Sequence, residues 1–295
     1  MPHANGGCDF APANDAREDV RILRRLEIRE GPTGVGDVRN TQVCTVVDVE
    51  TTGIDHANDH IVQLALRRFR YDGDGVITDL DRSYSWFEDP GKPISPEIQR
   101  LTGITDEMVA GQRIDGEAAT RLLTHSSLVV AHNAAFDRKW IEARLPGASG
   151  LAWACSMADI DWPGRGFDGR KLGFLGMQCG WYFDAHRAEA DVDAVIGLLR
   201  HRFDDGRTAM SELLENAERP SWLVRAYGAA FEVKDRLRCR GYRWDAGRRV
   251  WAKEVRDDQR IPEEFWLAAS VYCAEANPRA LGPQLERIDR WCRYA

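Results

Sequence analysis

Apolar residues follow two rhythms along this chain. The run VCTVV, residues 43–47, is short, β-branched and almost unbroken, the pattern of a strand buried on both faces. Two more strand-like runs follow, IVQLALRRFRY (61–71) and VITDLDRSYSW (76–86), separated by the turn signal DGDG. The rhythm then alternates. Helical stretches at 96–101 and 116–125 precede a strand (SLVVAH, 127–132), a helix (134–145), a short strand (LAWACS, 151–156) and two further helices (171–180 and 188–203). In the last of these, Val192, Val195, Ile196 and Leu199 form the i, i+3, i+4, i+7 stripe of a buried helix face. Three strands followed by alternating helix and strand predict an α/β layer fold with a mixed five-stranded sheet.

The flanks read differently. Residues 15–30 (DAREDVRILRRLEIRE) predict a short amphipathic helix that packs through Val20, Leu23 and Leu26, followed by a Gly-rich joint at 31–37. After Glu218-Arg219-Pro220 the composition shifts to Trp, Tyr and Arg. The predicted organisation is therefore an N-terminal tail and helix (1–41), a main domain (42–218) and a small α+β domain (219–295). Within the last, a helix closed by Gly241 leads into a hairpin whose turn is DAGRR, 245–249.

Composition narrows the class. The chain has 295 residues, 43% of them apolar and 29% charged, enough for a sizeable core and about two domains. No run approaches the roughly 20 apolar residues of a membrane span, and the start of the chain lacks the basic and apolar regions of a secretory signal, so a cytoplasmic protein without a membrane partner is expected. Seven cysteines, with no CxxC pair, read as reduced and mostly buried thiols. The net charge of −7 argues against a surface coated for polyanions, but the charge is uneven. Residues 225–260 hold eleven Lys/Arg against six Asp/Glu, a local +5 that leaves −12 for the rest.

The strand at 43–47 runs into Asp48 and Glu50, and side chains two apart on a strand point the same way, roughly 6–7 Å apart. Asp137 stands at the start of a helix just after the apolar strand. Asp191 lies one turn before Val195 and borders a buried face. Taken singly, each acid is equally readable as a helix cap or a surface charge. Packed together without compensation, they repel at a cost of several kcal/mol. A divalent cation removes that cost, and all-oxygen ligation suits Mg²⁺ or Mn²⁺, with two ions about 3.5–4 Å apart as the natural arrangement for several carboxylates.

Three motifs carry a resemblance. DVETTG (48–53), HNAAFD (132–137) and HRAEAD (186–191) resemble, in order and spacing, the three motifs of the DnaQ-like 3′-5′ exonucleases, the DEDDh branch of the RNase H-like fold, to which the proofreading ε subunit of bacterial DNA polymerase III belongs. RLTGITDEMV, between the first and second motifs, fits the family too, and the resemblance covers residues 42–203. It implies that Asp48 bridges both metals, that Glu50 and Asp191 hold the one carrying the attacking water, and that Asp137 holds the other. His186, five residues before Asp191, is implied as the general base, a role suited to an imidazole that titrates near neutrality.

The substrate-binding candidates are Thr51, Thr52 and Gly53 in the turn, Asn133 in the second motif, Phe136, which either packs on the last base or fills core, and Leu101, a wedge against the terminal base. At Thr102 the chain departs from the ε subunit, which has His there. The activity implied is release of nucleoside 5′-monophosphates from the 3′ ends of single-stranded DNA. The alternatives are a 3′-5′ exoribonuclease of oligoribonuclease or RNase T type and a catalytically silent DnaQ-like binding module, against which the complete acid set argues. Nothing after the nuclease region resembles the ε subunit's clamp- or polymerase-binding tail. In the hairpin, Tyr242, Trp244, Val250 and Trp251 interleave with Arg243, Arg248, Arg249 and Lys253. That pattern reads either as a basic aromatic surface or as a small core covered by Arg stems.

Overall fold

The computed structural model describes residues 20–295, which form two compact units, one of residues 20–216 with Arg293–Ala295 and one of Ala217–Cys292. The strands are β1 (Arg24–Arg25), β2 (Gly31–Pro32), β3 (Gln42–Thr51), β4 (Ile61–Tyr71), β5 (Ile77–Phe87), β6 (Leu128–Ala131), β7 (Trp153–Cys155), β8 (Trp181–Tyr182), β9 (Ser221–Arg225), β10 (Arg243–Asp245), β11 (Val250–Arg256) and β12 (Gln284–Ile288). The helices are α1 (Pro96–Thr102), α2 (Asp106–Val109), α3 (Gly116–Thr124), α4 (Ala134–Arg144), α5 (Leu172–Gln178), α6 (Ala188–Arg200), α7 (Ala209–Glu218), α8 (Lys234–Cys239) and α9 (Asp257–Ser270).

The first unit is built on a mixed sheet of order β2-β5-β4-β3-β6-β7. The meander β3-β4-β5 is antiparallel, whereas β6 and β7 add in parallel beside β3. This places β3 centrally, which is why its middle, Cys44 to Val47, is buried outright. On one face, Val47, Val49 and Leu66 pack with Leu123 of α3 and Trp140 and Ile141 of α4. On the other, α6 lies across β3 and β4 with Val192, Val195, Ile196 and Leu199 buried, the stripe read from the sequence. Side chains alternate along β3, so Asp48 and Glu50 fall on the face opposite Val47 and Val49, toward α6.

Two expectations need correction. The sheet has six strands rather than five, because Gly31–Pro32 pairs antiparallel with Leu80 and Asp79 at the edge of β5. Residues 20–30 are extended rather than helical, while 15–19 of that expected helix lie outside the described residues. Instead of a helical stripe, β1 pairs in parallel with β8. Leu26 presses against Gly197 of α6, where an added Cβ would come within 3.2 Å of it. The buried guanidinium of Arg67 ties the arrangement together, donating to the Ile28 carbonyl at 3.1 Å and to Asp193 of α6 at 2.8 Å. Contacts made over some 150 residues of chain override the local periodicity.

The second unit is an antiparallel sheet of order β10-β11-β9-β12. Its core joins Val224, Leu237, Tyr242, Val255, Leu267 and Val271, with Trp251 and Trp266 partly buried against it. The expected hairpin is β10-β11, with Trp244 directly opposite Trp251. Gly241 has φ 93, a conformation that favours glycine, where the chain leaves α8. The thiols are less buried than expected. Among the described cysteines Cys44 and Cys155 are buried, Cys179 and Cys273 are intermediate, and Cys239 and Cys292 are exposed; Cys8 lies outside the described residues. Among the described residues no helix is long and apolar enough to cross a membrane.

Candidate active site

The site forms where β3 outruns its parallel neighbour. Pairing with β6 ends at Val46↔Val130, while pairing with β4 continues through Asp48↔Ala65 and Glu50↔Gln63 to a bulge between Glu50 and Thr51. Both acids therefore stand at the open end of the central strand. Asp191, in the first turn of α6, comes to meet them from above the same face. Its Oδ2 accepts the Arg187 N–H at 3.0 Å, so one carboxylate both caps its helix and joins the cluster. One carboxylate oxygen each from Asp48, Glu50 and Asp191 lies within 4.8 Å of the others.

Asp137 stands beside this triad rather than in it. The left-handed Asn133 (φ 85), a conformation Asn tolerates well, turns the chain from β6 into α4, whose first turn carries Asp137. The carboxylate is 2% exposed and its Oδ1 accepts the Val49 N–H at 3.2 Å. The electrostatics follow from four acids packed into one corner, Asp137 buried and the other three half-buried. Burial first, then the charges of Asp137, Asp191 and Glu50, push the Asp48 carboxyl well above the usual carboxylate range. Burial and Asp191 push Glu50 up to about 7, with Arg187 opposing. Burial raises Asp137 to about 8 against the Val49 hydrogen bond, and raises Asp191 to about 6 against the hydrogen bond from Arg187 and the charge of His186.

This donor set fits hard divalent cations. It is all oxygen, it is short of positive charge, and neither the Asp48 nor the Glu50 carboxylate has a hydrogen bond or ion pair among the described residues. His186 is exposed just before α6, with φ 65, a backbone region that costs a non-glycine residue energy and recurs at functional sites.

The substrate-binding candidates divide. Thr51 donates its hydroxyl to the Gly53 carbonyl at 2.6 Å, and Thr52 donates to Asp59 at 2.8 Å. Both hydroxyls hold the loop itself. An added Cβ on Gly53 would meet Asp59 Oδ2 at 2.3 Å, so the close approach this glycine permits is that of Asp59. Asn133 is exposed at the start of α4. Phe136 is half-buried edge-on to Trp140 at 6.0 Å, with His56 on the same indole at 4.2 Å. Leu101 is 50% exposed at the end of α1, while its neighbour Thr102 is buried and donates to the Ile98 carbonyl at 2.9 Å.

Three residues at the site escaped the sequence reading. Gln63, opposite Glu50, accepts the Ala188 N–H on Oε1 at 3.3 Å and donates from Nε2 to Ser85 at 3.0 Å, pinning the start of α6 to the sheet. Its signal was a lone amide in the apolar run IVQLAL. His132 bridges Ser156 Oγ and the Arg170 carbonyl, each at 2.8 Å. The carbonyl can only accept, so Nε2 carries the proton and Nδ1 accepts from Ser156. Burial lowers the His132 imidazole to about 4 and keeps it neutral. Arg187 is the cation whose field opposes the rise in Glu50, and its guanidinium lies over Gly103, next to the Leu101 helix.

The site is thus an acid cluster at the open end of the central strand of a mixed sheet. Residues 45–147 match the family model described as Exonuclease (RNase_T), and the first unit thus carries an exonuclease domain of the DnaQ-like family. A PolC-type DNA polymerase III of Clostridium perfringens (strain 13 / Type A) is 39% identical over 102 residues, 34% of this chain and 7% of that protein. One of Latilactobacillus sakei subsp. sakei (strain 23K) is 36% identical over 142 residues, 45% of this chain and 9% of that protein. The match spans less than a tenth of these relatives' length. Among solved structures, E. coli Exonuclease I in complex with a dA16 oligonucleotide is similar at 18% identity, covering 63% of this chain and 48% of that one with a TM-score of 0.46. Exonuclease X in complex with 5′ overhanging duplex DNA is similar at 21% identity, covering 57% and 99%, with a TM-score of 0.40.

Proposed function

We propose that the first unit is a divalent-metal-dependent 3′-5′ exonuclease of the DEDDh type, releasing nucleoside 5′-monophosphates from single-stranded DNA. The observation that carries this reading is the convergence of Asp48, Glu50 and Asp191, with Asp137 beside them, on one unneutralised spot at the end of β3. In this reading Asp48, Glu50 and Asp191 would hold one Mg²⁺ or Mn²⁺ ion, and Asp137 with Asp48 would hold a second. When bound, such a pair neutralises the acids, polarises the attacking water and stabilises the charge that develops on the leaving 3′-oxygen.

The remaining work belongs to the protein. His186 takes the proton from the water as its oxygen bonds to phosphorus; the P–O3′ bond breaks and the leaving 3′-oxygen takes a proton from solvent. Arg187 supplies a positive charge beside Glu50 where a phosphate arrives. Gln63 holds the start of α6, and with it Asp191 and His186, against β4, the strand paired with the one that carries Asp48. Leu101 offers an apolar edge to the terminal base, and Phe136 and Asn133 line the α4 side. DNA is favoured over RNA because the curated relatives are DNA polymerases and the solved neighbours hold DNA. The acids themselves address a phosphate that both polymers share, so an exoribonuclease is the alternative. The test is DNA and RNA of one sequence, labelled at either end and digested side by side. Faster loss of a 3′ label from DNA supports the proposal. Preference for RNA, or first loss of the 5′ label, replaces it.

A further inference from the structure

Residues 225–260 carry an excess of positive charge, but the fold neutralises most of it. Arg225 pairs with Glu286, Arg238 with Asp235, Arg256 with Asp258, and Arg260 with Glu264. Arg240 and Lys253 share the buried Glu263. Arg236 donates to the Ser270 carbonyl, and Lys234 lies 3.9 Å above the Phe231 ring. Three side chains in this stretch have no ion pair, side-chain hydrogen bond or aromatic partner among the described residues: Arg243, Arg248 and Arg249. All three are exposed, and all three sit on one hairpin, Arg243 on β10 and the other two in the turn to β11.

The same hairpin presents an aromatic ring. Tyr242 and Trp251 are taken up by the core of the unit, yet Trp244 is 51% exposed and rests edge-on against Trp251 with ring centroids 5.6 Å apart. Its position is fixed by the cross-strand pair Trp244↔Trp251, so it is a braced ring rather than a loose one. The turn is braced as well, the Asp245 carboxylate accepting the Arg248 N–H at 2.9 Å. Forks with open donors beside a braced, half-open indole satisfy the two needs of a sequence-tolerant strand-binding surface, phosphate contacts and a stacking platform.

We propose that the β10-β11 hairpin is a second nucleic-acid site of this chain, holding a single strand through phosphate contacts from Arg248 and Arg249 in the turn and base stacking on Trp244, while Arg243, next to Trp244 on the strand, faces the other side of the hairpin. The paired cations of the basic segment are structural. The occupant is a single-stranded polynucleotide because the charge is unpaired, the ring is half-open and the residues lie on an exposed hairpin. The hold is independent of hydrolysis, so it stands or falls separately from the acid cluster.

The test is fluorescence anisotropy of a 5′-labelled thirty-nucleotide oligothymidylate with the full chain in EDTA, across a KCl series. Arg248→Gln/Arg249→Gln is expected to bind roughly tenfold more weakly, with the log–log salt slope reduced by about 1.4, or about 0.7 for each lost contact. Trp244→Ala is expected to weaken binding roughly five- to a hundredfold with the slope unchanged, and Trp244→Phe to recover most of it. Arg256→Gln, which removes an already paired charge, is the control and is expected to leave both quantities alone. Far-UV circular dichroism and a thermal melt of each variant report that it is folded, and digestion of a dinucleotide with Mg²⁺ is expected to be unaffected. Unchanged affinity and slope in Arg248→Gln/Arg249→Gln, or an equal loss in Arg256→Gln, overturns the proposal.

Discussion

The Val49 amide donates to the Asp137 carboxylate at 3.2 Å, fastening the acid of α4 to the strand residue that separates Asp48 from Glu50. Two segments almost ninety residues apart are thereby held in one geometry, and the hydrogen bond opposes the burial that raises the Asp137 carboxyl. The fold itself sets the geometry of the site, at the expense of packing four like charges.

That expense is measurable. Asp48→Asn removes the charge most disfavoured by burial and by its neighbours. The variant is expected to melt no lower than the parent in EDTA, while nucleotide release falls on the order of 10³-fold, the scale of losing a principal charge-stabilising group. A calorimetric scan and an initial-rate assay check both halves. A clear drop in melting temperature would show that the acids are not in conflict.

His186 is expected to act on the proton and not on the metal. His186→Ala should slow turnover by roughly 10²–10⁴-fold and leave Mn²⁺ affinity intact. His186→Gly relaxes the left-handed backbone at this position and should lose the same activity. Calorimetric Mn²⁺ titration beside single-turnover kinetics separates the roles, and equal loss of metal affinity in His186→Ala and Asp48→Asn would refute the assignment.

Gln63 positions rather than reacts. In Gln63→Leu the Ala188 N–H loses its acceptor and the start of α6 its tie to the sheet. A loss of about 1–3 kcal/mol in stability is expected, with a fall in activity that Gln63→Glu, which keeps an acceptor, partly restores. Denaturant melts and rates for the two variants check this; full activity in Gln63→Leu would remove the residue from the account.

His132 contributes to the pH dependence in the opposite sense to the four raised carboxyls, whose folded state holds the extra protons and loses stability as pH rises. Its folded value, about 4, lies below the 6.5 of an unfolded imidazole. Between those values the unfolded chain binds the extra proton, so the His132 contribution to stability is present above about pH 6.5 and is lost as pH falls toward 4. His132→Asn should be less stable at pH 7 and should remove this rise with pH from the stability profile. Denaturant midpoints from pH 4 to 7.5 test it, and an unchanged slope in the variant would count against a buried neutral imidazole.

Much of this was legible in the sequence because the strands of the sheet are long β-branched runs and the α6 stripe is regular. The period of two put Asp48 and Glu50 on one side, and the structure keeps them there. The segment at 20–30 was not legible: its apolar spacing suits a helix, but Leu26 answers to Gly197 and Arg67 to Ile28, partners that no local window contains. Gln63 and His132 were visible as polar residues in apolar surroundings. Their roles depend on Ala188, Ser156 and the Arg170 carbonyl, all brought in by tertiary structure. In the hairpin, alternation left a basic aromatic surface and a small core under Arg stems equally open; the fold takes Tyr242 into the core, pairs most of the charges and leaves Trp244 and three arginines outside.

The central claim is that the acids at the end of β3 work by holding divalent cations at the 3′ end of a strand. Its most direct test is the release of a 3′-terminal labelled nucleotide from single-stranded DNA by the full chain, measured in Mg²⁺, in Mn²⁺, in Zn²⁺ and in EDTA. The account expects the label to leave first as a nucleoside 5′-monophosphate in Mg²⁺ or Mn²⁺, poorly in Zn²⁺ and not at all in EDTA, with activity restored when Mg²⁺ is added back. Undiminished release in EDTA, or a product that keeps its phosphate on the 3′-oxygen, would contradict it.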